Sequence, residues 1–288
     1  MRRVTLLTNP DVCNLRCPLC FLNQRAFAFG FGEMPFEVAR VAIEKYAAER
    51  DALGRRMLRE VIPSTMGEPL LYSHFDELLE LCRALEIPLN LTTNGTFPGK
   101  WGSDAAMELL LRSCCDIKVS YLASEQFDGW KANVEKLVRV RDRLRENAES
   151  AGDAGVKCAE TAESRVATVS LQVTLHKKNL QDLPALVSWA SAIGVDRIKW
   201  NKVVLLKCVP PEFRKEYELT EDDVALLRSR LKSTNVHCEG SLFFTDSHNG
   251  DCAMGGVCGD SCPFMDEIWI LPDGSENHCP DPEHRFGM

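Results

Sequence analysis

The sequence predicts an α/β protein built on a parallel sheet, followed by a small cysteine-rich C-terminal extension. Three observations support this fold class. Between residues 4 and 205, short β-type runs alternate with helical stretches, as is typical of βαβ units. The composition is that of an ordinary globular protein, 45% hydrophobic and 26% charged. After about residue 207 the alternation stops, so we expect a first domain over residues 1–207 and the extension over residues 208–288.

The alternating part contains six strand-like runs with five helical runs between them. The predicted strands are residues 4–8, 57–64, 89–93, 116–121, 166–175 and 197–205. The predicted helices are residues 35–50, 73–85, 103–113, 124–146 and 180–193. Turn residues mark several boundaries, among them Asn94-Gly95 after a strand and Ile193-Gly194 after a helix. In the extension, one helix is predicted to start at Thr220, where the first turn is acidic.

Charge and hydropathy exclude several classes of partner. The formal net charge of −8 gives no electrostatic footprint for nucleic acid. No apolar run approaches the roughly 18 residues needed to cross a bilayer, and the first residues break off too soon for a signal peptide. We therefore expect a cytoplasmic protein without a membrane partner. In a reducing compartment, its 13 cysteines indicate metal binding or reactive thiols rather than disulfides.

The first cysteine group directly follows the first predicted strand. Cys13, Cys17 and Cys20 have the spacing Cys-x3-Cys-x2-Cys. Three thiolates from one loop can bind three irons of a 4Fe-4S cluster and leave the fourth iron open for another molecule. A zinc site is the alternative, but structural zinc sites close with four ligands, and no fourth cysteine or histidine follows nearby.

These cysteines resemble the signature of the radical S-adenosylmethionine (SAM) superfamily. After the second strand, Ser-Thr-Met-Gly-Glu-Pro at residues 64–69 is similar to the Gly-Gly-Glu-Pro motif of that family, with Met66 at the first glycine position. A second departure is Phe21, an aromatic residue that follows the last cysteine rather than preceding it. The resemblance implies a partial (β/α)6 TIM-like barrel, with the chemistry at the carboxyl ends of its strands.

The resemblance also implies where SAM binds. Its amino group would lie at Gly67, Glu68 and Pro69, with Asn94 at the next strand end, and its ribose and carboxylate near the later strands. The residues expected to make the latter contacts are Ser120, Gln172, Thr174 and Asn201. The simpler alternatives are a helix-capping role for Glu68 and ordinary loop contacts for the others. One electron, from a donor such as flavodoxin or ferredoxin, would cleave SAM to a 5′-deoxyadenosyl radical that abstracts hydrogen from the substrate.

A second cysteine group lies in the extension. Its four members are Cys252, Cys258, Cys262 and Cys279. The pattern Cys262-x11-Gly274-x4-Cys279 resembles the opening hairpin of the SPASM and twitch extensions, with a strand at residues 268–271 and a tight turn at residues 272–274. The resemblance implies an auxiliary 4Fe-4S cluster held by all four cysteines. A small zinc ribbon remains the alternative.

Two cysteines outside these groups are candidates for a hydrogen-atom donor to a substrate radical. We expect Cys238 to be the donor, with Cys208 as the second candidate; both also suit simple packing. In an alternative arrangement Cys238 would bind the auxiliary cluster and Cys252 would be the thiol.

The acidic extension points to a substrate class. Residues 233–288 contain ten acidic residues and one basic residue, and such a surface over the barrel would attract a polycationic small molecule. An ordinary solvated acidic surface is the alternative. The first hypothesis is therefore an epimerase similar to the radical SAM epimerases of aminoglycoside biosynthesis. One alternative is a dehydrogenase of an aminocyclitol or sugar alcohol, with the auxiliary cluster as electron acceptor. Another is a peptide-modifying enzyme, which is disfavoured because no leader-binding domain precedes the barrel in this sequence, although such a domain can be a separate protein. An electron-transfer protein would not explain Gly67, Glu68 and Pro69.

Overall fold

The structure, a computed structural model, describes residues 2–25, 30, 32–64, 66–122, 129–151, 166–231, 235–240, 242 and 267–278. Its strands are β1 (Arg2–Leu6), β2 (Leu58–Pro63), β3 (Leu89–Thr93), β4 (Cys114–Tyr121), β5 (Thr168–Leu175), β6 (Arg197–Lys202), β7 (His237–Glu239), β8 (Glu267–Ile270) and β9 (Glu276–Asn277). Its helices are α1 (Phe21–Gln24), α2 (Phe36–Ala48), α3 (Phe75–Ala84), α4 (Asp104–Ser113), α5 (Trp130–Ala151), α6 (Leu183–Ile193), α7 (Pro211–Tyr217) and α8 (Glu221–Leu231).

The predicted α/β class with a mostly parallel sheet is confirmed. The described strands form one sheet in the order β7-β6-β5-β4-β3-β2-β1-β8-β9, and among these strands only the β8–β9 pair is antiparallel. The six predicted strands correspond to β1–β6, and the five predicted helices to α2–α6. The sixth strand ends at Lys202 rather than at residue 205.

The two faces of the sheet differ in chemistry because successive side chains of a strand point to opposite sides. On β4, Ile117 and Val119 are fully buried in the hydrophobic core, whereas Asp116, Lys118 and Ser120 point to the other face. The same alternation places the buried Ile198 and Trp200 of β6 in the core, and Arg197 and Lys199 on the polar face.

The polar face is concave. Burial raises the pKa of Glu267 on β8, and the charge of Lys199 on β6 opposes that rise although β6 and β8 are far apart in the sheet order. This interaction across the sheet requires that the sheet curl, as in a partial barrel. Within the described residues the edge strands β7 and β9 do not pair with each other, so the barrel is open.

Ion pairs fill the amino-terminal end of the concave face. The Arg3 guanidinium binds Glu267 at 2.6 Å and Glu60 at 3.2 Å. Arg197 donates to Ser170 Oγ at 2.9 Å and lies 3.4 Å from the Asp116 carboxylate. Buried charged side chains are stable when they are paired, as these are. The paired side chains occupy the amino-terminal end of the barrel. The carboxyl ends of the strands are left for the loops that carry function.

The extension joins both edges of the sheet. β7 pairs with β6, and β8 pairs with β1. The hairpin expected around residues 268–274 is present, with β9 returning antiparallel to β8 after Gly274, which has φ +85°. Tyr46 Oη and Lys45 Nζ of α2 donate to Glu276 of β9 at 2.7 and 2.6 Å. The domain division after residue 207 stays a prediction.

None of the helices in the described ranges is long and apolar enough to cross a lipid bilayer.

Candidate functional site

The first three cysteines share one loop at the carboxyl end of β1. Cys13 and Cys17 lie between β1 and α1, and Cys20 is the N-cap residue directly before α1. All three side chains are partly exposed. Burial raises the pKa of Cys17 to about 11, and the neighbouring Cys20 and Cys13 contribute to the rise. The three sulfur atoms are therefore close enough to interact electrostatically.

Several contacts hold this cysteine loop in shape. Arg16 donates to the Cys13 carbonyl and Asn23 Nδ2 to the Cys17 carbonyl, each at 2.8 Å. At the base of the loop, Arg25 forms an ion pair with Asp11. These contacts occupy the Cys13 and Cys17 carbonyls, and the Leu15 N–H donates to Cys13 Sγ at 3.4 Å.

The donor set fits an iron–sulfur cluster better than a single ion. Among the described residues, no group of three or more His, Cys, Asp or Glu side chains is arranged to hold one metal ion. In a cubane cluster each thiolate binds a different iron, so three soft sulfur donors spread along one loop are suitable ligands. Burial raises the pKa of Cys17 and of Cys20, and a bound cluster would oppose that rise because metal binding favours the deprotonated thiolate.

Gly67 allows the loop after β2 to lie directly against the loop after β1. Its φ is +80°, and a Cβ atom there would lie 2.1 Å from the Asn9 carbonyl oxygen and 2.6 Å from that of Val12. The Glu68 N–H donates to the Val12 carbonyl at 2.9 Å, and Asn9 Nδ2 donates to the Glu68 carbonyl at 2.7 Å. Only glycine fits this position. Met66, at the first glycine position of the family motif, is buried.

Glu68 is a buried carboxylate that accepts three hydrogen bonds. Its Oε1 accepts from Thr93 Oγ1 at 2.7 Å and from the Leu70 N–H at 3.3 Å, and its Oε2 accepts from the Asn94 N–H at 2.7 Å. Burial raises its pKa to about 7, although these hydrogen bonds oppose the rise. The bond to Leu70 caps a short 3-10 turn that begins with Pro69, so the capping alternative is part of its role. Burial disfavours the ionised form of this carboxyl group, and a cation bound beside it would stabilise that form.

Asn94 joins this carboxylate to the cysteine loop. Its Nδ2 donates to Asn14 Oδ1 at 2.9 Å and lies 3.6 Å from Cys13 Sγ, while its Oδ1 accepts from the Thr96 N–H at 2.9 Å. The ends of β1, β2 and β3 thus meet at one place. Glu68 and Asn94 were predicted from the sequence, but Asn9 and Asn14 were not, since their only signal is their position just after the first strand.

The residues expected to contact the rest of SAM lie on the concave face. Ser120 is aligned with Gln172, and Thr174 is aligned with Asn201. All four side chains are half-buried. Lys199, aligned with Gln172, shares this face and was not predicted from the sequence.

The two donor candidates lie in different surroundings. Cys238 is aligned with the fully buried Ile198, and its Sγ accepts from Trp200 Nε1 at 3.1 Å. Its thiol therefore lies on the core side of the sheet, where it packs against the hydrophobic core, and its role as donor stays a prediction. Cys208 is exposed, follows β6 and donates to the Gln24 carbonyl beside the cysteine loop at 3.4 Å. Cys252, Cys258, Cys262 and Cys279 lie outside the described residues, and the auxiliary cluster stays a prediction.

Two curated proteins are similar to this chain. Fe-coproporphyrin III synthase of Methanosarcina barkeri is 22% identical over 246 residues, which are 81% of this chain and 55% of that protein. Pre-heme d1 synthase of Dinoroseobacter shibae is 27% identical over 192 residues, which are 67% of this chain and 41% of that protein. The chain thus spans about half the length of these relatives.

A solved structure has the same fold. It is anSMEcpe with bound AdoMet and Kp18Cys peptide, which is 15% identical, with a TM-score of 0.57, and the match covers 97% of this chain and 75% of that one. The model of the Radical SAM superfamily matches residues 10–190, which include the cysteine loop, Glu68 and Asn94. Since this is more than half of the chain, the protein belongs to the radical SAM superfamily, whose cofactors are SAM and an iron–sulfur cluster.

Proposed function

We propose that the chain is an enzyme that abstracts a hydrogen atom from its substrate, using a 4Fe-4S cluster on Cys13, Cys17 and Cys20. When bound, the cluster and SAM supply the one-electron cleavage that yields methionine and a 5′-deoxyadenosyl radical. The observation that carries the proposal is the continuous contact from Glu68 through Asn94 to Cys13. It connects a buried anion to a loop of three thiols.

In this function, Glu68 binds the amino group of SAM. The carboxylate is already oriented by Thr93, Asn94 and Leu70, so it needs no reorganisation when the ammonium arrives. The ammonium lowers the pKa of Glu68 and keeps it ionised. Gly67 lets the two loops approach closely, and Asn94 fixes the side of the loop that bears Cys13. Ser120, Gln172, Thr174 and Asn201 would contact the ribose and carboxylate.

For the reaction itself we keep epimerisation as the first proposal. Of the two thiols, Cys208 is better supported as the hydrogen-atom donor, because it is exposed beside the cysteine loop. Dehydrogenation, with the auxiliary cluster as the electron acceptor, is the alternative. The proposals of a polycationic, aminoglycoside-type substrate and of a flavodoxin or ferredoxin donor rest on the sequence alone.

Peptide modification is a second candidate function. It is supported by the bound peptide in the structure of anSMEcpe, which has the same fold. A substrate survey separates the candidates: anaerobically reconstituted enzyme with SAM and dithionite is incubated with cationic sugars or with peptides, and 5′-deoxyadenosine is quantified. The proposal expects 5′-deoxyadenosine to rise with a sugar, and a rise with peptides alone would favour the second candidate.

Heavy water then distinguishes the reactions. An epimerase incorporates one solvent deuterium without net oxidation, and Cys208→Ala should abolish that incorporation while Cys238→Ala preserves it. A product that has lost two hydrogen atoms would show dehydrogenation. Full epimerase activity in Cys208→Ala would contradict the donor assignment.

A further inference from the structure

One buried side chain connects the cysteine loop to the segment that follows β6. Gln24, the last residue of α1, lies one helical turn after Cys20, and its N–H donates to the Cys20 carbonyl at 3.0 Å. The residue is only 8% exposed. A buried amide must find partners for both of its polar ends, and those of Gln24 belong to two different parts of the chain.

The donor end of Gln24 joins these two parts directly. Its Nε2 donates to the Leu19 carbonyl of the cysteine loop at 2.7 Å and to the Val204 carbonyl at 3.1 Å. Its Oε1 accepts from the Leu206 N–H at 2.9 Å. The Gln24 carbonyl in turn accepts from the Cys208 thiol at 3.4 Å. We call residues 203–208 the strap.

Strand β5 and helix α7 also contact the strap. The Val203 N–H continues the ladder to the Leu175 carbonyl at 2.9 Å. Arg214 of α7 donates to the Leu206 carbonyl at 3.0 Å. Leu206 is buried, so its amide has little contact with water and depends on Gln24 for its acceptor. The conformation of the strap therefore depends on the position of α1.

We propose that Gln24 is a positioning residue that couples the strap to the cysteine loop, so that cluster binding restrains the strap and with it Cys208. The inference rests on the proposed function, because it requires a cluster on Cys13, Cys17 and Cys20. A cluster bound there fixes the backbone around Cys20 and hence α1. Through Nε2 and Oε1 of Gln24, the same constraint reaches Val204 and Leu206.

Hydrogen–deuterium exchange of the full chain, with and without the reconstituted cluster, tests this coupling. In the wild type, cluster loading should slow exchange of the Leu206 amide about three- to tenfold, the effect of one net hydrogen bond. In Gln24→Ala, that amide should exchange faster and at the same rate in both states. Gln24→Glu, which keeps the size and the acceptor but loses the donor end, should show a reduced response. It serves as the second variant if Gln24→Ala folds poorly.

Two controls make the result specific. Asn23→Ala removes a contact within the cysteine loop, to the Cys17 carbonyl, but none to the strap, so the response of Leu206 should remain. Arg214→Ala removes a contact to the strap that does not involve Gln24, so exchange should rise in both states while the response to the cluster is retained. An unchanged response in Gln24→Ala, or no response in a wild type that holds its iron, would overturn the coupling alone. A wild type that takes up no cluster would overturn the proposed function and the coupling together.

Discussion

Replacing Gly67 by alanine tests whether the contact between the loops after β1 and β2 builds the site. Alanine in the left-handed region costs about 1–2 kcal/mol. Its Cβ would also lie 2.1 Å from the Asn9 carbonyl oxygen and 2.6 Å from that of Val12, and both are backbone atoms that cannot swing away. Separating the loops weakens the hydrogen bonds from the Glu68 N–H to the Val12 carbonyl and from Asn9 Nδ2 to the Glu68 carbonyl. Each of these hydrogen bonds contributes about 1 kcal/mol to stability. We expect Gly67→Ala to lower the free energy of unfolding by about 3 to 4 kcal/mol.

Gly54→Ala provides the matched control. Gly54 has a similar φ of +73°, but a Cβ atom added there would meet no atom within 4 Å, so its replacement should cost only about 1–2 kcal/mol. Equilibrium urea unfolding of both variants and the wild type, under anaerobic reducing conditions, measures the difference. If Gly67→Ala is no more destabilising than Gly54→Ala, the loops are not held together as described.

The remaining predictions concern Glu68, Asn94 and Cys238. Because its raised pKa of about 7 leaves Glu68 protonated at lower pH, SAM affinity should increase about tenfold per pH unit up to pH 7 and level off above it. Titration calorimetry of Glu68→Gln should show weak SAM binding that does not depend on pH. A pH profile retained in that variant would exclude Glu68 as the partner of the SAM ammonium. Asn94→Ala should lower SAM affinity about tenfold, because the cysteine loop loses the contacts that position it. The iron content should stay at the wild-type level. Unchanged SAM affinity would contradict the link between Asn94 and Cys13. Cys238→Ala should destabilise the fold by about 1–2 kcal/mol because buried Trp200 Nε1 loses its acceptor, and a loss below about 0.3 kcal/mol would contradict its core position.

The meeting of Glu68 and Asn94 could be predicted from the sequence. Parallel strands joined by helices place their carboxyl ends on one side of a sheet, so motifs that follow successive strands come together. The pattern of residues 64–69 and Asn94-Gly95 was therefore sufficient to locate this part of the site.

The position of β8 beside β1 could not be predicted, because pairing between distant segments leaves no trace in a local pattern. The orientation of Cys238 depends on its alignment with Ile198, and a shift of one residue would turn the thiol to the concave face. The role of Gln24 was missed for a similar reason, since its partners Val204 and Leu206 are about 180 residues away in the sequence.

The central claim is that Cys13, Cys17 and Cys20 hold a cluster that cleaves SAM. The most direct measurement is the yield of 5′-deoxyadenosine from anaerobically reconstituted enzyme with SAM and dithionite, compared with a variant in which all three cysteines are alanine. We expect the wild type to form 5′-deoxyadenosine and methionine in equal amounts and the triple variant to form neither. Equal yields from the two proteins, or a wild type that cleaves no SAM while holding its iron, would contradict the claim.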